Sequence, residues 1–584
     1  MDKGKYLDSW KEISAYLGRN IRTCQIWERE LGLPVHRLDV SPKARVFAYT
    51  GELDAWRDKK GRLPDTVEPL KGKGNATVSR GKFFSIRKVF AGLGVLALAA
   101  ALFSAFNVGG SRDRLFGRIL GGPITSVAVL PVENYSGDPD QELLAEGMTD
   151  ALISGLGQIS ALENVISRTS VMQYKGTKKP LPQIAKELGV RGIIEASVLR
   201  SGGRVSITAR LFDARRNRQI GPPLNYEREM VDILALYSEM VQAIAFEVRA
   251  RITPQEGGRL KAVRPVAPDA YEAFLRGKFF LRKWTEDGVQ KALIYFQKSA
   301  DLEPDFAQAY AGLADAFLWS HLMNLLPWNE ASQKAIAAAR RALDLDEGLS
   351  EAHAVMSTAA LWSWKWAEAE LESRRAIALN PNSFDGHFTY GAFLTLMLHH
   401  EEAVREARRA LALDPMTPTS SLNVGWTLYY AGRYDESIAQ LRRTLEMAPE
   451  NWGAHMELSW NYARKKMYPE AVAECRRALS LEQENPDLLG SCGRIFGLAG
   501  ERVEAQECLE RMQKWADQHH RDNPISKAWL YDGLGETDRS IECLERAYRD
   551  RSPGLAFLKM ETYSDKLRSD PRFQDLMLRM NFPR

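Results

Sequence analysis

Asp138, Asp140, Glu142 and Glu146 stand close together in the 584-residue chain, and clustered carboxylates are the usual start of a metal site. They also fall where an amphipathic stretch begins, and a helix dipole favours acidic side chains there without any ion. The second reading is the expected one, and no metal is assigned. Gly74 and Gly81 flank NATVSR at the wrong spacing for a phosphate loop, which needs GxxxxGK followed by Ser or Thr to cradle phosphate on backbone N–H groups. The HRD and DFG words of a kinase are absent. His399, His400, His519 and His520 fall in helical segments without matching ligands, and neither HEXXH nor GxSxG occurs. Cys24, Cys475, Cys492, Cys508 and Cys543 follow no CxxC spacing, which argues against a zinc ribbon or a dithiol motif and leaves buried, inert thiols as the expectation. No catalytic residue, cofactor or metal is expected, and the chain is not read as an enzyme.

Recognition chemistry of another kind lies nearer the N-terminus, in SWKEISAYLGRNIRTCQIWERELGLPVHR, Ser9 to Arg37. Trp10, Ile13 and Leu17 share one helical face, Gly18 permits a turn, and Ile21, Cys24, Trp27 and Leu31 form a second apolar face. Arg22, Thr23, Gln25, Ile26 and Arg29 then point elsewhere, and Arg and Gln are the side chains that reach guanine and adenine edges in a major groove. VHRLDV, SPKA and RVFAYT read as a β-hairpin with Lys43 and Arg45 at a tip suited to phosphate, and Thr50 is placed as N-cap of a closing helix. The residues expected on double-stranded DNA are Arg19, Arg22, Thr23, Gln25, Arg29, His36, Arg37, Lys43 and Arg45. RNIRTCQIWERELGLPVHR resembles the winged helix-turn-helix of the MerR and excisionase group, with an arginine-threonine pair before an aromatic and a GLP entry to the wing. The resemblance implies a DNA-binding domain over residues 1–62. No long dimerisation helix follows the wing, so the metal or drug sensing of MerR proteins is not implied.

Whole-chain charge supports only a local argument of this kind. With 79 Lys and Arg against 75 Asp and Glu, the net charge is +4, too small for an overall nucleic-acid footprint. Residues 63–88 are rich in Gly, Pro and Lys and read as a flexible basic linker with a reach of roughly 25 to 30 Å. Residues 89–108, VFAGLGVLALAAALFSAFNV, carry no charge, and as a helix would extend roughly 30 Å, the hydrocarbon thickness of a bilayer. The basic residues are heavier on the N-terminal side. The expectation is therefore a single pass of the bacterial inner (cytoplasmic) membrane, N-terminus cytoplasmic and the C-terminal region extracytoplasmic. The chain opens MDKGKYLDSWKE, without the apolar core of a signal peptide.

Residues 124–252 alternate strand and helix patterns. ITSVAVLPV and ENVISRTSV read as strands, with the helix DQELLAEGMTDALISGLGQIS between them. PLPQIAKELG adds a helix, VRGIIEASVLRSGG and RVSITARLFDARRN two strands joined by a glycine turn, and MVDILALYSEMVQAIAFEVRARI a long closing helix. SVAVLPVENYSGDPDQELLAEGMTDALISGL, SRTSVMQYKGT and IAKELGVRGIIEASVLRSGGRVSITARLFDA are similar to the TolB-like N-terminal domain, and this resemblance implies an interaction or sensory unit.

From 268 to 550 a 34-residue period runs through ADLEPD, ALDLDE, AIALNP, ALALDP, TLEMAP and ALSLEQ, with Pro381, Pro415 and Pro449 one period apart. Ala369, Ala403, Ala471 and Ala505, with Gly391, Gly425 and Gly493, recur where paired helices must cross closely. This resembles the tetratricopeptide repeat, in about eight units followed by a C-terminal cap over 551–584. Such an array buries a core between neighbours and exposes a concave groove. The family's inner-face positions fall on Phe388, Trp426, Tyr429, Met456 and Trp460, which become candidates for a groove holding a protein or peptide; packing on the α/β domain or ordinary contacts between repeats is the alternative. WSWKW, Trp362 to Trp366, is read as local packing at a bend.

The expected fold class is multidomain: a small winged helix-turn-helix, one transmembrane helix, an α/β TolB-like domain and an all-α repeat solenoid. This order resembles the membrane-bound one-component regulators of CadC and ToxR type. Their usual winged head is OmpR-like, so no residue is transferred from them. The resemblance implies a transcriptional regulator binding DNA inside and sensing a signal outside, with DNA, membrane, a groove ligand and a second copy of the chain as partners. The alternative is a membrane-anchored repeat scaffold that mediates protein contacts without binding DNA.

Overall fold

The computed structural model describes residues 5–19, 21–37, 46–60, 123–136, 138, 141–262, 264–323 and 325–583. The chain divides into two units, Met1–Ala105 and Phe106–Arg584, each taken by itself below. Among the described residues no helix is long and apolar enough to cross a membrane. That finding overturns the expected single-pass localisation. The run 89–108 on which it rested, and the linker 63–88, lie outside the described residues.

In the first unit β1 (Tyr6–Leu7), α1 (Trp10–Leu17), α2 (Ile21–Leu31), β2 (His36–Arg37), β3 (Val46–Tyr49) and α3 (Thr50–Lys60) follow in order. The strands form an antiparallel sheet in the order β1-β3-β2. Ser9 caps α1 by accepting from the Glu12 N–H, and Gly18 ends it at φ 64°, a conformation that costs a glycine nothing. Leu7, Ile13, Cys24, Trp27, Val46, Ala48, Leu53 and Trp56 build the core with Leu33, the Trp27 and Trp56 rings lying 5.8 Å apart. Strand β1 was not foreseen, since two residues carry no periodicity. Ile21, expected inside, is 42% exposed at the first position of α2. The Thr50 hydroxyl accepts from the Lys5 backbone N–H, tying the sheet edge rather than capping α3.

The second unit opens with an α/β domain: β4 (Ser126–Val129), β5 (Glu133–Asn134), α4 (Glu142–Gly157), β6 (Asn164–Val165), α5 (Arg168–Met172), α6 (Leu181–Leu188), β7 (Gly192–Ser201), β8 (Arg204–Asp213), β9 (Arg218–Glu229), α7 (Ile233–Glu247) and α8 (Pro254–Lys261). The sheet runs β6-β4-β7-β8-β9, with β5 also on β7. Its β4, β5, β6 and β7 pairings are parallel, whereas β7, β8 and β9 form an antiparallel meander. Period-two alternation sorts the side chains. Val127, Val129 and Ile194 meet the core shared by α4 and α7, and Ala128, Leu130 and Ile193 meet α5 and α6 on the other face. Where ENVISRTSV was read as one strand, only Asn164–Val165 pair, because the Ser167 hydroxyl caps α5 by accepting from the Ser170 N–H. Strand β9 escaped the sequence reading because Gly221, Pro222 and Pro223 interrupt it; a sheet edge tolerates proline, which has no N–H to give. Glu142 and Glu146 pair with Lys175, and Glu146 also with Arg168, so these acids are engaged in ion pairs; Asp140 lies outside the described residues.

Eight helical hairpins follow: α9 (Pro268–Leu281) with α10 (Glu286–Leu302), α11 (Ala307–Leu322) with α12 (Trp328–Leu345), α13 (Ser350–Trp362) with α14 (Trp366–Leu379), α15 (Phe384–Leu396) with α16 (His400–Leu413), α17 (Pro418–Tyr430) with α18 (Tyr434–Met447), α19 (Trp452–Arg464) with α20 (Tyr468–Leu481), α21 (Pro486–Ala499) with α22 (Arg502–His519), and α23 (Pro524–Gly533) with α24 (Thr537–Arg549). Ala369, Ala403, Ala471 and Ala505 are fully buried at the crossings. A recurring staple spans three hairpins. His353, His387 and His455 place Nδ1 at 2.5, 2.5 and 2.6 Å from Glu372, Glu406 and Glu474, with Nε2 facing the Glu347, Pro381 and Pro449 carbonyls. In the intervening repeat the neutral pair Ser421 and Gln440 takes the same two places, with Gln440 Nε2 donating to Ser421 Oγ at 2.7 Å.

The repeats hold the α/β domain through polar clasps. Asn382, buried in the turn before α15, donates to the Gly157 and Leu162 carbonyls at 3.1 and 2.9 Å and accepts from the Val165 N–H at 3.0 Å. Asp414 accepts from the Ser167 and Ser170 hydroxyls at 2.5 and 2.6 Å. Burial alone would raise the Asp150 carboxyl, but Arg282, Lys278 and Arg168 around it hold it well below the usual range.

After α24 the chain turns through a 3₁₀ segment, Pro553–Lys559, to α25 (Asp565–Arg568) and α26 (Pro571–Arg579). Leu555, Ala556 and Leu558 are buried in one core with Leu361, Tyr390 and Phe393 from α13 and α15. Phe557 meets Trp362, Trp364 stacks on Tyr548, and Trp366 donates Nε1–H to the Met580 carbonyl at 3.2 Å. The WSWKW packing expected to be local is thus made with the far end of the chain.

Candidate functional site: the concave face of the later repeats

Period places the site. Trp426, Trp460 and Arg494 lie 34 residues apart, as do Tyr430, Arg464 and Leu498, so the same turn of α17, α19 and α21 presents them side by side. Helices α21 and α23 approach until their backbones touch. A Cβ on Gly490 would lie 2.4 Å from the Ser526 carbonyl oxygen, and one on Gly533 would lie 2.4 Å from that of Arg494. Only glycine fits at these crossings, and the contact brings Arg494 onto Asp532.

Between α17, α19, α21, α23 and the extended stretch Glu561–Ser564 lies a cavity of about 290 Å³, walled by Tyr429, Tyr430, Trp460, Trp529 and Tyr563. Arg494 crosses its wall. The guanidinium bonds to the Thr562 carbonyl and to Asp532 Oδ2, the latter at 3.2 Å, lies 3.6 Å from Glu561 Oε2, and faces the Tyr563 ring. Tyr430 donates its hydroxyl to Glu561 Oε1 at 2.8 Å, and Ser564 gives both N–H and hydroxyl to Asp532. Burial pushes Glu561 above the usual glutamate range, with Arg494 opposing. Burial also pushes Tyr429 to about 12, and its hydroxyl shares a bond with the Thr562 hydroxyl at 3.3 Å. At the mouth, Arg464 gives its Nε–H to Tyr434 at 3.2 Å, and neither Arg464 nor Lys466 has a carboxylate within ion-pair distance among the described residues. Cations, aromatic rings and hydroxyls thus converge on the walls of one cavity.

Of the five groove residues expected from sequence, Tyr429 and Trp460 line this cavity. Trp426 packs on Tyr430 and on Phe557 of the C-terminal segment, Phe388 on Phe384, and Met456 against the core around α19 to α22. Arg494 was missed because a search for aromatic residues passes over it; its place one period after Trp460 was the available signal. In the first unit Arg19 and Gln25 are exposed and Thr23 is half-buried. His36 stacks on Phe47 and pairs with Glu52 at 2.6 Å. Arg22 and Arg29 lie on α2 and Arg37 on β2, while Lys43 and Arg45 fall outside the described residues.

A family model described as tetratricopeptide repeat matches residues 422–487, and the helical array is a solenoid of this kind. Over 189 residues the chain is 32% identical to "Putative adenylate cyclase 3" of Rhizobium meliloti (strain 1021), covering 32% of each chain. The chain thus spans about a third of the length of the curated relative it matches. Among solved structures it is similar to a tetratricopeptide repeat protein from Parabacteroides merdae ATCC 43184, at 14% identity, 46% of this chain, 100% of that one and a TM-score of 0.35. It is also similar to a thermophilic repeat protein of Thermus thermophilus, at 18% identity, 33% of this chain, 99% of that one and a TM-score of 0.29.

Proposed function

We propose that the protein is a non-catalytic interaction scaffold, whose repeats hold a TolB-like α/β domain on one stretch and receive a partner polypeptide on the concave face of α17 to α23. The observation that carries this reading is the cavity beside Trp460 and Arg494, which is lined by side chains in repeat register and bears uncommitted cations at its mouth. The cyclase named for the Rhizobium meliloti protein is a property of that protein. A photoreactive benzoylphenylalanine placed at Leu498, exposed on the cavity wall, should label one polypeptide in cells, whereas the same group at Val503, exposed on the second helix α22, should not. Equal labelling from both positions removes the groove from the reading.

The first unit supports a second reading, a DNA-binding head. Its observation is the order β1, α1, a Gly18 turn, α2 and a β2–β3 hairpin around an independent core of Trp27 and Trp56, the arrangement in which a second helix enters a major groove. DNA selected in vitro by the protein should converge on one site, and Gln25→Ala should relax preference at one position by about 1 to 3 kcal/mol. Selection that returns no preferred sequence at moderate salt ends this reading and leaves the scaffold alone.

A further inference from the structure

We infer that the cavity beside Arg494 takes a carboxylate with a neighbouring aromatic ring, presented by an extended stretch of partner polypeptide lying beside the chain's own Glu561–Ser564. The inference rests on the scaffold reading and names the partner's chemistry.

The chain already carries an example of what this face recognises. Glu561–Ser564 runs through the concavity without helix or strand. Its Glu561 carboxylate meets Arg494 and the Tyr430 hydroxyl, its Thr562 carbonyl meets Arg494, and its Tyr563 ring meets the same guanidinium. An acidic and an aromatic residue, presented by extended backbone, therefore satisfy one wall.

The same lining carries two further cations, Arg464 and Lys466, with no carboxylate in ion-pair distance among the described residues. Arg464 spends one N–H on Tyr434 and keeps its two terminal nitrogens for a ligand, and Lys466 stands next to it on a left-handed backbone. Asp532 and Glu561 are committed to Arg494, Ser564 and Tyr430, so Asp565 is the one lining carboxylate left to oppose the two cations. Trp460 and Trp529, each half-buried, line the same walls, while the Tyr429 ring is packed on Tyr430, Tyr434 and Trp460.

Size limits the ligand. About 290 Å³ is at the small end of ligand pockets, enough for two side chains and too little for a helix. The 3₁₀ segment buried against α13 and α15 fills the next stretch of the concave face, so no long peptide can follow the groove from end to end.

Calorimetric titration of the full chain with acetyl-Glu-Phe-amide tests this. Its neutral isostere acetyl-Gln-Phe-amide should bind about fivefold more weakly, the worth of one partly exposed charge pair. Acetyl-Glu-Ala-amide should lose about tenfold for want of the ring. In the exposed double variant Arg464→Gln with Lys466→Gln, the Glu and Gln peptides should bind alike. Equal binding of the Glu and Gln peptides to the unaltered chain overturns the inference. So does absence of heat from acetyl-Glu-Phe-amide up to about 5 mM. If the peptides fail while photolabelling at Leu498 still captures one partner, the scaffold reading stands and only the ligand chemistry falls.

Discussion

Replacing Arg494 with methionine is expected to lower stability by about 3 to 5 kcal/mol near neutral pH, because it leaves two buried carboxylates without their cation. The Arg494 side chain is 13% exposed, with Asp532 at 2% and Glu561 at 10%, so water screens the loss poorly. The pH dependence separates this cause from a simple packing defect. Glu561 already sits above the usual value of 4.5 in the folded chain. A group raised in this way favours the fold below its unfolded value, and that contribution is lost as pH rises through the folded value. In Arg494→Met the Glu561 carboxyl rises further, because the cation that opposed its burial is gone. The deficit should therefore be largest near pH 7 and shrink as the medium is acidified towards pH 4 to 5. Urea denaturation of both proteins across this range measures it; a deficit independent of pH would assign the loss to packing.

Asn382→Ala should loosen one clasp between the α/β domain and the repeats at a cost of about 3 kcal/mol. The side chain gives and takes three bonds with backbone groups of Gly157, Leu162 and Val165, and it also accepts from Arg409 at 3.0 Å. An alanine leaves those groups dry and unpaired, at about 1 to 3 kcal/mol for each that water cannot reach. Hydrogen exchange gives the readout, since the Val165 amide should lose its protection while amides inside α19 and α20 keep theirs. Uniform loss throughout the chain would mean that the clasp is not a local joint, and an unchanged Val165 would mean that it carries no load.

The solenoid was legible because its information is periodic: three prolines one period apart and alanines at fixed places state the hairpin before any contact is known. Strands with strict alternation, such as Arg204–Asp213, were legible for the same reason. Short elements were not. Tyr6–Leu7 and Asn164–Val165 are strands only because Val46–Tyr49 and Ser126–Val129 lie beside them, and two residues hold no period. At the candidate site, Tyr429 and Trp460 could be named from repeat position, but Glu561 and Tyr563 could not. They belong to the groove because the chain returns to it from outside the repeats, a tertiary event that no local pattern announces. Trp362, Trp364 and Trp366 show the converse: the cluster was visible, and its partners Phe557, Tyr548 and Met580 were some two hundred residues away.

That return changes how the chain must be made. An ordinary repeat array is almost one-dimensional, so each hairpin can settle on its predecessor as it leaves the ribosome and the ends can fray without disturbing the middle. Here Trp366 waits for Met580, 214 residues later, before its indole N–H has an acceptor, and the apolar faces of Leu361 and Phe393 wait for Leu555 and Leu558. The third and fourth hairpins therefore stay incomplete until residues 553–580 have been synthesised. A nascent chain stopped short of Pro553 would expose a central hydrophobic surface rather than a ragged edge, so the segment from Pro553 to Met580 governs when the middle of the array becomes soluble.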